Sequence, residues 1–230
     1  KEALFGNSEF VDLVHKIQLE ISNADISFTA PLSYNTQIKS GPVYVRDMFK
    51  LYHFENLLYT MKLNGKEIKA YLEYSTNLWF NQMKSENDHL LKIQSSDEGN
   101  VRLNSAFYNF SSAAGINYTI DLKGKKGDRV KITNFSNGEK FELDSQYTVA
   151  INSYRGNGGG GHLIKGSGIP KKQLAARIIN STDKDLRYFM IKWIENKKTI
   201  TPEKYNNWQV IPENWWKKGK EKDMKLLFPG

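Results

Sequence analysis

Apolar positions along this chain change period several times, and each change marks an element. Phe10, Leu13, Val14, Ile17 and Ile21 recur at i, i+3, i+4, i+7 and i+11, one face of a helix, with Ser8 placed to cap it and Asn23 to end it. Asp25 to Ala30 alternates as a half-buried strand does, and a polar loop from Pro31 to Gly41 follows. Val45 to Leu51 reads as a short helix and Leu57 to Leu63 as a strand, with a turn expected at Asn64-Gly65. A second amphipathic helix spans Lys66 to Phe80, with Ile68, Leu72, Ser75 and Trp79 facing inward. The pattern then fades, and residues 82–104 are expected to form a long surface loop. Alternation returns in Ile116 to Leu122, Arg129 to Phe135 and Tyr147 to Ile151, with turns at Gly124 to Asp128 and at Ser136-Asn137-Gly138. A final helix, expected to be capped at Ser181 or Thr182, carries Leu186, Phe189, Met190, Trp193 and Ile194 as its core stripe. Without internal repeats, this mixture predicts an α+β fold: a single mixed domain over residues 1–200, with a sheet packed by helices. The Trp- and Lys-rich extension 201–230 is expected to pack back on it.

Composition narrows the class. In 230 residues, 39% are hydrophobic and 25% charged, enough for a buried core. No apolar run approaches the roughly 18 residues of a membrane span. Beginning at Lys1, the chain reads as a processed or truncated product. Cysteine is absent, which excludes disulfides, thiolate catalysis and zinc–sulfur sites. That fits cytoplasm and periplasm equally. Lys and Arg outnumber Asp and Glu by 33 to 25, and the resulting +8 favours phosphate-bearing partners. The lysines are spread out, except Lys217, Lys218, Lys220 and Lys222, so duplex nucleic acid is not an expected partner.

The four histidines, His15, His53, His89 and His162, form no H-x-H or H-E-x-x-H pair, so no metal site is expected in this chain. The segment Asn152 to His162 is the unusual one. Four consecutive glycines, Gly158, Gly159, Gly160 and Gly161, point to close approach or an unusual turn. A phosphate-binding Walker loop is ruled out, because no Gly-Lys-Ser/Thr follows, and Ser167 sits in no G-x-S-x-G elbow. Tyr154 and Arg155 stand just before the glycines. An aromatic face and a cation beside an open loop suit a planar base and a phosphate, with stacking worth roughly 1–3 kcal/mol.

Through Asn152-Ser153-Tyr154-Arg155 and the glycine run, the chain resembles the C-terminal domain of the bacterial 5′-nucleotidase family, which includes a 2′,3′-cyclic-nucleotide 2′-phosphodiesterase/3′-nucleotidase branch. The segments Ala24 to Phe28, Leu51 to Leu57, Asn64 to Ile68 and Tyr147 to Asn152 agree in order and spacing, and the similarity covers about residues 5 to 200. The resemblance implies a base sandwiched between Phe54 and Tyr154, with the Asn56 amide contacting it. It also implies a preceding metallophosphoesterase domain of the same polypeptide, holding a divalent metal pair, against which this domain orients nucleoside or nucleotide substrates. Periplasmic or cell-surface export follows from the same resemblance. Two positions depart from the 5′-nucleotidase branch: Asn35 replaces a substrate-contacting arginine, and Gly160 replaces an acidic residue that holds the ribose. Tyr154-Arg155 is closer to the cyclic-nucleotide branch. The expected function is substrate recognition for a nucleotide hydrolase, with the fragment alone inactive. The alternatives are a carbohydrate or cell-surface binding module, or a single-stranded nucleic-acid-binding protein.

Overall fold

The computed structural model describes residues 1–95 and 101–229. Helix α1 (Glu9–Ser22) leads into strand β1 (Ile26–Thr29), and helix α2 (Val45–Leu51) precedes strand β2 (Leu57–Asn64), which runs directly into helix α3 (Gly65–Trp79). Then come β3 (Ile93–Ser95), β4 (Val101–Leu103), β5 (Ser112–Ala114), β6 (Ile116–Asp121), β7 (Val130–Phe135) and β8 (Gln146–Asn152). Beyond β8 lie the single-turn helices α4 (Ser153–Gly156) and α5 (Leu174–Arg177), strand β9 (Ile178–Asp185), helix α6 (Leu186–Lys197), strand β10 (Trp208–Ile211) and helix α7 (Glu213–Leu227).

The main sheet has the order β5-β1-β8-β2-β9, with β8 parallel to β1 and antiparallel to β2. Alternation divides its side chains between two apolar layers. Ile26, Phe28, Met61, Leu63, Val149 and Ile151 face α3, where Ile68, Tyr71, Leu72 and Trp79 complete the layer. Phe28 and Tyr71 stack there, centroids 4.0 Å apart. On the opposite face, Leu58 and Ala150 meet Leu13, Val14 and Ile17 of α1 and Leu186 and Met190 of α6. Fully burying such a side chain is worth roughly 1.5–3 kcal/mol, so these two layers hold the sheet between its helices. The mixed α+β architecture expected from the pattern is the one observed. A smaller sheet, β10-β6-β7, packs beside it through Trp208 and Tyr118, whose rings stack at 6.0 Å.

α1 keeps its expected caps: Ser8 accepts from the Val11 amide, and Asn23 adopts the left-handed conformation at φ +52°. Three expectations need correction. Asn64-Gly65, expected as a turn, is a direct strand-to-helix junction. The Asn64 side chain accepts from the Glu67 amide while Glu67 accepts from the Asn64 amide, a reciprocal cap that starts α3 without a connecting loop. Residues 82–104 are not one surface loop, since Met83, Leu90 and Leu91 are buried and β3 pairs with β4; residues 96–100 lie outside the described residues. Finally, Ser181 and Thr182 do not cap the last predicted helix. They lie in β9, an edge strand on β2, and Asp185 caps α6 by accepting from the Tyr188 amide at 2.7 Å. The polar run Asn180 to Asp185 reads as a cap from its composition, yet edge position lets a strand carry it.

Candidate functional site

Two arms of the chain meet at one end of the main sheet. Because β2 and β8 are antiparallel neighbours with Leu58 opposite Asn152, the residues entering β2 and those leaving β8 emerge side by side. The first arm runs from Tyr52 to Asn56. Tyr52 is fully buried in the α1/α6 layer, and Phe54, half-buried, packs on that layer's edge. Asn56 is half-buried, and its carbonyl accepts from the Leu186 amide at 2.8 Å. The second arm is Asn152 to Arg155. Asn152 caps α4 by accepting from the Arg155 amide at 2.9 Å, and Tyr154 is left 49% exposed. Ser153 joins the arms by accepting from the Leu57 amide at 3.1 Å. An aromatic held half-exposed at a strand end, rather than folded into the core, is available as a stacking face.

Arg155 sits elsewhere than a phosphate-binding cation would. It is 4% exposed, and its guanidinium donates to the Gly159 carbonyl at 2.9 Å, the Tyr108 carbonyl at 2.5 Å and Asn109 Oδ1 at 3.1 Å. These bonds brace the glycine loop against the segment 107–109. The guanidinium also lies 5.3 Å from the Tyr154 ring centre, supporting that ring from below. Three of its five N–H donors are thus committed to the fold.

The glycines have steric reasons to be glycines. Gly158, Gly160 and Gly161 all have positive φ, at +93°, +70° and +79°. A Cβ on Gly159 would stand 2.6 Å from the Tyr154 ring, and one on Gly160 would land on the Arg155 guanidinium. The run thus lets backbone pass directly beneath Tyr154 and around Arg155. It ends at His162, fully buried, whose Nε2 is 3.0 Å from the Asn109 carbonyl. Burial, with the nearby Arg155 charge adding to it, lowers the His162 pKa to about 3, so the ring is neutral and structural.

Tyr108 was not singled out from the sequence. It is 37% exposed, and its ring stands edge-on to Phe54 at 6.2 Å and 77°. Phe54, Tyr108 and Tyr154 thus gather at one end of the sheet, Arg155 joining Tyr154 to Tyr108 and the Tyr108 ring meeting Phe54. Asn35 is exposed in the loop after β1, within 3.4 Å of Ser33 Oγ. Of the remaining histidines, His15 is buried between Ser27 Oγ at 2.9 Å and Ser112 Oγ at 3.0 Å. His89 pairs with Asp223 of α7 at 2.5 Å. Among the described residues, no group of three or more His, Asp or Glu side chains could hold a metal ion. No helix there is long and apolar enough to cross a membrane. A separate cleft of about 440 Å³, lined by Asn7, Lys204, Trp208, Trp216 and Lys220 among others, lies against the tail and shares no residue with the aromatic arms.

Comparison with known proteins places this geometry. Residues 2–165 match the model of the 5′-nucleotidase C-terminal domain. The chain is 27% identical over 225 residues to the trifunctional nucleotide phosphoesterase protein YfkN of Bacillus subtilis, covering 90% of this chain and 14% of that protein. It is 28% identical over 198 residues to the 2′,3′-cyclic-nucleotide 2′-phosphodiesterase/3′-nucleotidase of Salmonella typhimurium, covering 79% and 28% respectively. The chain therefore spans little more than a quarter of these relatives' length at most. Among solved structures, a 5′-nucleotidase precursor from Thermus thermophilus shares the fold with a TM-score of 0.66 at 21% identity, over 92% of this chain and 37% of that one. The NAD nucleotidase of Haemophilus influenzae does so with a TM-score of 0.59 at 19% identity, over 88% and 33%. With the family model matching well over half of its residues, the chain belongs to the 5′-nucleotidase C-terminal domain family.

Proposed function

We propose that this chain is the nucleotide-recognition domain of an exported nucleotidase or 2′,3′-cyclic-nucleotide phosphodiesterase. The observation that carries this reading is the convergence of two loop aromatics, half-buried Phe54 and half-exposed Tyr154, from adjacent ends of paired strands. In this reading the two rings take the faces of a base, the Asn56 amide contacts its edge, and Tyr108 closes one side of the slot. The glycine loop lets backbone N–H groups approach the rest of the ligand. Gly160 leaves the ribose without a carboxylate partner at that position, and with Arg155 committed to the fold, phosphate is held elsewhere. A metallophosphoesterase domain on the same polypeptide would supply a divalent metal pair that activates water. The residues here contribute orientation, which converts a bimolecular encounter into a pre-arranged one. Export is supported by the Thermus thermophilus relative being a precursor.

Calorimetric titration with adenosine, a nucleotide, an oligosaccharide and single-stranded DNA tests the reading. Adenosine and the nucleotide are expected to bind, and Phe54→Ala or Tyr154→Ala to weaken each by at least about fivefold, as loss of a stacking face worth roughly 1–3 kcal/mol requires. Unchanged affinity in both variants refutes the sandwich. Binding of the oligosaccharide alone, or of DNA with a steep salt dependence, would replace it with a different function.

A further inference from the structure

The cleft of about 440 Å³ beside the C-terminal segment runs along a strand edge. Successive strand residues point their side chains to opposite faces, so a cavity over one face of β10 would touch alternate residues only. This one is lined by Trp208, Gln209, Val210 and Ile211, all four residues of the strand, and therefore follows its outer edge. Among the described residues, β10 borders its sheet and has β6 as its one neighbour. The ladder shows which groups that edge leaves over. The amides of Tyr118 and Leu122 donate to the carbonyls of Asn207 and Ile211, at 3.0 and 2.8 Å, so the odd-numbered residues bond toward β6. The N–H and C=O groups of Trp208 and Val210 consequently point outward. Asn7 Nδ2 donates to the Trp208 carbonyl at 2.8 Å, while neither Val210 group has a partner on that side among the described residues.

The opposite wall belongs to α7. Trp216 is fixed there by the bond from its Nε1 to the Phe5 carbonyl at 2.7 Å, with Lys220 Nζ 5.0 Å from its ring centre. Of the four charged side chains in the lining, Glu2 and Lys204 pair with each other at 2.5 Å, and Glu213 pairs with Lys217 at 2.6 Å. Lys220 is left without a carboxylate partner among the described residues. A strand edge on one side, an indole on the other and an uncompensated cation between them suit an extended polypeptide that carries carboxylates. Main-chain bonds supply affinity in such a slot, and side-chain contacts supply selectivity. We propose that this cleft captures an extended acidic segment of a partner protein. The segment joins the small sheet as a fourth strand, bonds to the N–H and C=O of Val210, and sets a carboxylate against Lys220. The site shares no residue with the aromatic arms, so it stands independently of the base-stacking reading.

Calorimetry of the 230-residue chain with blocked pentapeptides tests the proposal. Four edge residues at about 3.3 Å each give about 13 Å, which a pentapeptide spans. The probes alternate valine with glutamate or valine with lysine, and two further copies of the acidic probe are N-methylated, one at odd and one at even positions. Odd and even N–H groups of an extended peptide lie on opposite edges, so one methylated copy is expected to lose binding and the other to keep it. The lysine probe is expected not to bind, and Lys220→Glu to weaken the acidic probe about threefold or more, as reversing one exposed ion pair requires. Amide exchange followed by NMR on the wild-type chain should slow about tenfold or more at Val210 when the acidic probe saturates it. Phe54→Ala and Tyr154→Ala should leave peptide affinity unchanged. Equal loss with both methylated copies, or an unaltered Val210 amide, overturns the strand pairing. Equal binding of the acidic and basic probes overturns the role of Lys220, and no binding of the acidic probe removes the site. Sedimentation showing a dimer that the acidic probe leaves intact would give the edge to a second copy of this chain instead.

Discussion

At the scale of single residues, Arg155 and the glycines beneath it behave as one unit. Gly160→Ala places a methyl group where the Arg155 guanidinium lies, at a φ of +70° that alanine adopts poorly. We expect it to destabilise the chain by about 2 kcal/mol, seen in urea unfolding, and to weaken adenosine binding by displacing the brace under Tyr154. Arg155→Lys keeps the charge but cannot reach three acceptors with one ammonium. It should therefore cost about as much stability, and calorimetry should show a loss of affinity that added phosphate groups on the ligand do not change. A phosphate-binding arginine would instead lose affinity selectively for nucleotides over nucleosides. Tyr154, Phe54 and the glycines stand out in the sequence as an aromatic–polyglycine juxtaposition and a familiar motif. Tyr108 does not, because it reaches the site through a hydrogen bond from Arg155 to its backbone carbonyl, and a backbone acceptor leaves no mark on residue identity. The structural task of Arg155 was equally hidden, since a cation beside glycines looks the same whether its partners are phosphate oxygens or carbonyls.

Among the elements, the histidine of α1 gives the fold a pH dependence. Burial lowers the pKa of His15, between Ser27 and Ser112, to about 3, and His162 behaves alike. Both bind a proton near pH 6.5 in the unfolded chain and only near 3 when folded, so they favour unfolding as pH falls through that window. Asp12 acts oppositely. Burial raises its pKa to about 6 from 3.8, so between those values the folded state holds a proton that the unfolded state lacks. Two protons against one leave a net loss of about 1.4 kcal/mol per pH unit between pH 6 and 4.5. Urea midpoints across this range should show that slope, and His15→Gln should flatten it nearly to zero. The elements themselves were largely legible wherever one face met one layer: α1, β2, α3 and the strands from β6 to β8 all carry a clear period. Legibility failed where an edge strand, β9, had no buried face to create alternation. It failed too where the short apolar pairs Leu90 and Leu91 lay among polar neighbours and found the core through tertiary contact alone.

For the molecule as a whole, the C-terminal extension is integral to the sheet beside it. β10 runs parallel to β6 and sends Trp208 and Val210 into the main apolar layer. In α7, Asp223 is buried and accepts from His89 and from the Leu91 amide at 2.7 Å. The opposite terminus is tied down by the same region through Trp216 Nε1, which donates to the Phe5 carbonyl at 2.7 Å, and by α3 through Trp79 Nε1, which donates to the Leu4 carbonyl at 2.7 Å. Truncation after residue 200 should therefore abolish cooperative unfolding, with loss of near-ultraviolet circular dichroism, even though it removes none of the residues proposed to touch ligand. Asp223→Ala should destabilise the chain by about 1–3 kcal/mol, because it leaves the Leu91 amide unpaired in the interior and takes the partner from half-buried His89.

The pairing of Leu58 with Asn152 sets a caliper. Each ring is carried by a short stretch outside the sheet, yet the stretches are anchored to the neighbouring backbones of β2 and β8. A residue inserted into β2 would advance one jaw by about 3.3 Å and turn its side chains to the wrong face. Substitutions within the jaws, by contrast, change what is gripped without changing how wide they open. Ligand preference in this domain can thus be retuned at its tips while the calibration stays in the core.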